Sequence, residues 1–160
     1  VPHEVLEQLV ELARWAPSWK NTQIARYIVV TDKEKKQRLA DDCMMDFAFN
    51  QKTASHAPAL VVLTMLTSRS GYERDGSFST SQGTHWQSFD AGIAAQTFCL
   101  AAHALGLGTV IMGIFDEDKV KQVVDIPEGQ KVAALIAVGH PAEEPMCPKR
   151  KDVETLLSFD

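Results

Sequence analysis

The chain has no concentrated positive charge. Sixteen lysines and arginines stand against 21 aspartates and glutamates, for a formal charge of -5, and only Lys149, Arg150 and Lys151 make three basic residues in a row. Neutralising a run of phosphates needs clustered cations, so a nucleic-acid partner is not expected. Cysteine is scarce: Cys43, Cys99 and Cys147 make an odd count without C-x-x-C spacing. A disulfide framework is therefore not expected, and a reducing, cytoplasmic setting is. No apolar run reaches the roughly 20 residues of a membrane span. Val1 opens directly on an amphipathic pattern, so no signal peptide is expected, and the missing initiator Met predicts that the chain starts inside a longer product. His3, His56, His85, His103 and His140 lack metal-ligand spacing and have no cysteine or carboxylate cluster beside them, so no metal site is expected. Ser18 has no local base, and Gly-x-Ser-x-Gly is missing, which leaves acyl transfer unsupported. Gly106-x-Gly108 follows a helix pattern and lacks the G-x-G-x-x-G spacing of a dinucleotide loop.

What is present fits one domain of 160 residues with a real core. The stretch from Ser88 to Phe115 carries no charge after Asp90. It predicts a buried, all-round apolar helix over Ala91 to Leu105, thin because of its alanines and Gly92, then a glycine turn and a short strand over Thr109 to Met112. Val5, Leu6, Leu9, Val10, Leu12 and Ala13 recur at helical spacing and predict a first helix stopped by Pro17. Strands are predicted over Tyr27 to Thr31, Ala59 to Leu66 and Lys131 to Gly139. Asp32 is a candidate N-cap for a charged helix to Asp42 with Leu39 as its inward anchor, and Asp116 for a short helix to Val124. Ser68 to Gly83, rich in Ser, Gly, Thr and Arg, reads either as a mobile loop of the kind lids are made from or as simple disorder. Residues 141–160 read as an extended tail.

Ser18 to Gln23 is a polar loop between the first helix and the first strand, consistent either with ligand binding or with turn and capping chemistry. Taken alone, Lys52 reads as a surface lysine, Gly113 as a turn glycine and the basic cluster as solvated tail. Several motifs together say more. Ala13-Arg14-Trp15-Ala16-Pro17-Ser18 with Asn21 and Gln23 resembles the hallmark loop of the nitroreductase family of flavin enzymes. Asp90 to Gln96 with the Ala-His-Ala-Leu-Gly-Leu-Gly turn resembles that family's central dimer helix. Ile126 to Gly129, Gly139-His140-Pro141 and the closing Lys149-Arg150-Lys151 follow in the family's order. An Arg-Arg-Ser-x-Arg-like opening segment, which helps hold the flavin phosphate in the family, lies before the first residue here.

The resemblance implies an α+β fold with a mixed central sheet flanked by helices, forming a homodimer with FMN at the subunit interface. It implies hydride transfer from NAD(P)H through flavin N5 to an electrophile such as a nitroaromatic or quinone. Alternatives are a dehalogenase-like or flavin-consuming relative, or a non-catalytic flavin-binding dimer. A flavin suits the poverty of acids, bases and nucleophiles, because the cofactor supplies the chemistry and the protein supplies placement. Pro17, Ser18, Asn21 and Gln23 would line the ribityl chain and ring edge, and Asn50 and Lys52 would reach the ring. Lys52 would stabilise charge gained near N1 on reduction. A backbone N–H at Gly113 or Ile114 would meet N5, and Lys149 and Arg150 would hold the phosphate.

Overall fold

The computed structural model describes residues 1–160. Four strands form one sheet: β1 (Ala25–Val30), β2 (Ala59–Leu66), β3 (Gly108–Met112) and β4 (Gln130–Gly139), in the order β1-β2-β4-β3. The fold is α+β, as expected, but the sheet is not mixed: every pairing is antiparallel. The continuous apolar runs of β2 and β4 arise from burial on both faces, which strand direction does not determine. Leu60 and Val62 pack with Leu39, Met44 and Val120 on one face, under α2 (Lys33–Asp42), α3 (Ala48–His56) and α5 (Glu117–Val123). Val61 and Leu63 face the other way, onto Leu9 and Phe98 of α1 (His3–Ala13) and α4 (His85–Ala104). Each fully buried Leu or Val contributes on the order of 1.5–3 kcal/mol.

The caps lie where the sequence places them. Asp32 accepts from the Lys35 amide, and Asp116 from those of Asp118 and Lys119. Gly106, at φ +73°, ends α4: its N–H donates to His103 and that of Leu107 to Ala102, the two bonds of a Schellman motif. The helix is not buried all round. Ala91, Ala94, Phe98 and Ala102 face the core, while Phe89 and Leu100 are about 60% exposed (59% and 60%). No helix is long and apolar enough to cross a membrane. The tail after Pro141 is exposed throughout, with one helical turn, α6 (Val153–Leu156).

The segment from Ser68 to Gly83 folds into a defined form. Tyr72 bridges Phe78 with ring centroids 5.0 Å apart, and Ser79 N–H donates to Gly71 at 2.9 Å, closing an arch. Gly71 sits at φ +83°, and a Cβ there would lie 2.4 Å from the Gly83 carbonyl oxygen and 3.1 Å from Trp86. Gly71→Ala is therefore expected to lower stability by about 2 kcal/mol or more, from left-handed strain plus a clash with backbone. An unchanged urea midpoint for this variant would contradict the packing of the arch.

Candidate functional site

The polar loop between α1 and β1 is held in an uncommon shape. Lys20, Asn21 and Gln23 have φ of 44°, 56° and 50°, a left-handed backbone that costs non-glycine residues roughly 1–3 kcal/mol each. Hydrogen bonds hold it there. The Ser18 carbonyl accepts from Asn21 N–H at 3.0 Å, and the Ser18 hydroxyl oxygen accepts from Gln23 N–H at 2.9 Å. From α4, the buried Asp90 carboxylate accepts the Trp19 N–H at 3.0 and 3.1 Å. Ser18 thus performs the turn chemistry open to it and still has its own proton to donate. Asn21 and Gln23 are exposed, with side-chain amides free of protein partners. Beside the loop opens a cleft of about 320 Å³, lined by Pro17, Ser18, Gln23, Arg26, Tyr27 and Asp90 among others.

Tyr27 puts an odd group into that wall. Its hydroxyl is buried without a hydrogen-bond partner, and burial pushes its pKa from 10.0 up to about 12. Its ring stacks on Phe98 at 5.5 Å. Removing an unpaired buried hydroxyl costs little, so Tyr27→Phe is expected to be neutral, or stabilising by up to about 1 kcal/mol, at neutral pH. Because the folded state holds the tyrosine proton more tightly than the unfolded chain, stability falls as pH rises from 10.0 toward 12. Urea midpoints against pH should flatten over that window in Tyr27→Phe. The loss due to Cys43, whose thiol burial pushes up from 9.0 to about 11, should remain.

A second group of candidates gathers after β3. The Asn50 side chain is buried in α3 and donates to the Ile114 carbonyl at 3.2 Å, while Asp116 N–H donates to the Cys43 carbonyl at 2.8 Å. These two bonds pin the far side of the turn, and Met112, paired with Leu135, ends the strand before it. Ahead of the two pins, the N–H groups of Gly113 and Ile114 meet no acceptor in the chain, and a Cβ on Gly113 would touch nothing within 4 Å. Asn50, Gly113 and Ile114 are therefore brought together, as the resemblance implies.

Lys52 does not join them. Two positions along a helix turn a side chain by about 200°, so Lys52 faces solvent while Asn50 faces the core. It lies on the exposed face of α3, without a hydrogen bond to Asn50, Gly113 or Ile114. Lys149 and Arg150 lie in the exposed tail, where Arg150 donates to the Pro148 carbonyl at 3.2 Å and meets neither group. The two groups themselves flank the edge strands, β1 and β3, whose axes lie three strand spacings or about 14 Å apart. Asp90 and Ser70, which carry the polar loop, were not among the sequence candidates. A carboxylate opening an otherwise uncharged helix was the signal, since a buried charge needs donors around it.

Comparison with known proteins gives the family. The Nitroreductase family profile matches residues 1–140. An NADH dehydrogenase of Thermus thermophilus is 28% identical, with 98% of this chain and 85% of that protein aligned. An FMN reductase (NAD(P)H) of Bacillus subtilis is also 28% identical, over 100% of this chain and 68% of its own length. Among solved structures, a nitroreductase family protein of Streptococcus pneumoniae superposes with a TM-score of 0.85 at 24% identity, covering 100% of this chain and 90% of that one. With a loop hung on Asp90 at one sheet edge, a pinned turn with free amides at the other, and a family match over most of its length, the chain belongs to the nitroreductase family.

Proposed function

We propose that the chain is an FMN-dependent NAD(P)H oxidoreductase acting as a homodimer. The observation that carries this reading is the turn at Gly113 and Ile114, with free amide donors, an open face and a carbonyl held by buried Asn50. A donor built this way can meet a ring nitrogen without covering the ring. Bound FMN supplies two-electron chemistry, accepting hydride from NAD(P)H and passing it to an electrophile such as a nitroaromatic or quinone. The chain's own residues bind and orient. Gly113 or Ile114 N–H donates to N5, and Ser18, Asn21 and Gln23 hold the ribityl chain and ring edge. Arg150 forks onto the phosphate with Lys149 as a neighbouring point charge.

The placement of these groups supports the dimer. One chain carries its two half-sites beside the edge strands β1 and β3, with no hydrogen bond between them. A two-fold pair can bring the loop of one copy to the turn of the other and so build two equivalent sites. The exposed Phe89 and Leu100 of α4 and Ile114 of the turn give such a pair apolar surface to bury.

The purified chain is expected to be yellow, with a band near 450 nm on the order of any bound flavin. It should also oxidise NAD(P)H steadily when a quinone is supplied. Colourless protein that takes up no added FMN would overturn the reading. Tight flavin binding without NAD(P)H oxidation would leave a flavin-binding dimer.

A further inference from the structure

We propose that Asp90 is a positioning residue that sets the shape of the polar loop and couples it to the arch over residues 70–83. This rests on the reading that the loop contacts FMN.

Asp90 is 4% exposed and forms no ion pair with any lysine, arginine or histidine. A buried carboxylate in that position is tolerated only when donors surround it. Its donors come from two places distant in sequence. The Trp19 amide reaches both oxygens, at 3.1 and 3.0 Å, immediately before the left-handed stretch at Lys20 and Asn21. The Ser70 hydroxyl donates to Oδ2 at 2.5 Å.

Ser70 has only one proton, and that proton goes to Asp90, so the 2.7 Å contact between Ser70 and Thr22 has Thr22 as the donor. The result is a directed chain from Thr22 to Ser70 to Asp90, with loop, arch and helix each supplying one member. One further contact binds loop and arch, Lys20 Nζ to Glu73 at 2.9 Å, and another binds the loop to α4, the Trp19 and Trp86 rings at 4.5 Å. The lysine pair is exposed and weak. The buried, charge-assisted bonds to Asp90 dominate, and they are the ones that move if the arch moves. Displacing the arch withdraws Ser70 from the carboxylate and Thr22 from Ser70, and so loosens the loop that presents Ser18, Asn21 and Gln23.

The test uses the full chain with Asp90→Asn, Ser70→Ala and Thr22→Val. Amide hydrogen exchange is read by NMR in the absence of flavin, and FMN affinity by fluorescence titration. In Asp90→Asn, exchange at Trp19 is expected to rise roughly tenfold to a hundredfold, the worth of a hydrogen bond to a charged group. Exchange in β2 and β4 should stay at the wild-type rate, which a general loss of stability would not allow. FMN affinity should fall over a similar range. Ser70→Ala and Thr22→Val should each quicken exchange in the loop and the arch together, by a smaller factor, and they carry the test if Asp90→Asn does not fold. Unchanged exchange at Trp19 and in the loop would overturn the proposal. So would a loosened loop with undiminished FMN affinity, because the loop would then not be what Asp90 positions for the cofactor. If the wild-type chain binds no FMN, the functional reading fails while the exchange results still decide whether Asp90 couples loop and arch.

Discussion

Gly113→Pro is expected to slow flavin reduction by NAD(P)H by roughly a hundred- to a thousandfold, the usual cost of losing one preorganised donor at a site where charge develops. Gly113→Ala should stay within a few-fold of wild type. The contrast is clean for structural reasons. Gly113 is not among the glycines at positive φ, and a Cβ there meets nothing within 4 Å, so alanine fits. Proline costs no protein hydrogen bond, because this amide has no acceptor in the chain, and the preceding Met112 is already in extended strand, which proline favours. Stopped-flow loss of flavin absorbance on mixing with NAD(P)H measures both variants. A wild-type rate in folded Gly113→Pro would remove Gly113 from the role and leave the Ile114 amide as the donor.

Combining two damaged chains should restore flavin binding that neither has alone. Arg150→Ala is expected to weaken FMN binding by about 1.5–3 kcal/mol, the worth of a charge-assisted hydrogen bond. An Asn21→Ala/Gln23→Ala chain should be weakened through the loop. If the loop of one copy completes the half-site of the other, with Arg150 on the turn side, a mixed dimer holds one intact site and one doubly damaged site. About half of the wild-type tight capacity should return. Two tags, tandem purification and titration measure it. If loop and tail served one site from the same chain, every site in the mixed dimer would carry a lesion, and no tight site would return.

The sequence made the local devices readable because their signals are local. Asp32 and Asp116 announced their caps, and Ala59 to Leu66 is β2 to the residue. Gly106 announced the end of α4. The polar loop was read from its motif, and Asn50 and the Gly113 turn were expected from the family resemblance. What stayed hidden depends on pairing and facing. Strand direction left no trace in β2, because burial on both faces produces the same apolar run whatever the neighbours' polarity. Lys52 was expected beside Asn50 from the family resemblance, and on α3 their spacing of two puts Asn50 toward the core and Lys52 on the exposed side. The left-handed backbone at Lys20, Asn21 and Gln23 could not be read from side chains that ordinarily avoid it. Asp90 was visible only as the last charge before an apolar stretch, and its donors, Trp19 and Ser70, lie 71 and 20 residues away.

The placement of the half-sites at opposite edges of one sheet bears on how the cofactor is retained on dilution. If, as proposed, the site is completed only by a second copy, cofactor occupancy is tied to protein concentration: below the dissociation constant of the dimer, each chain would offer FMN half of its contacts and release it. The linkage is reciprocal, so FMN tightens the dimer by the same factor by which dimerisation tightens FMN. Flavin loss during dilution or gel filtration should therefore track the monomer fraction, and excess FMN should hold dilute chains together.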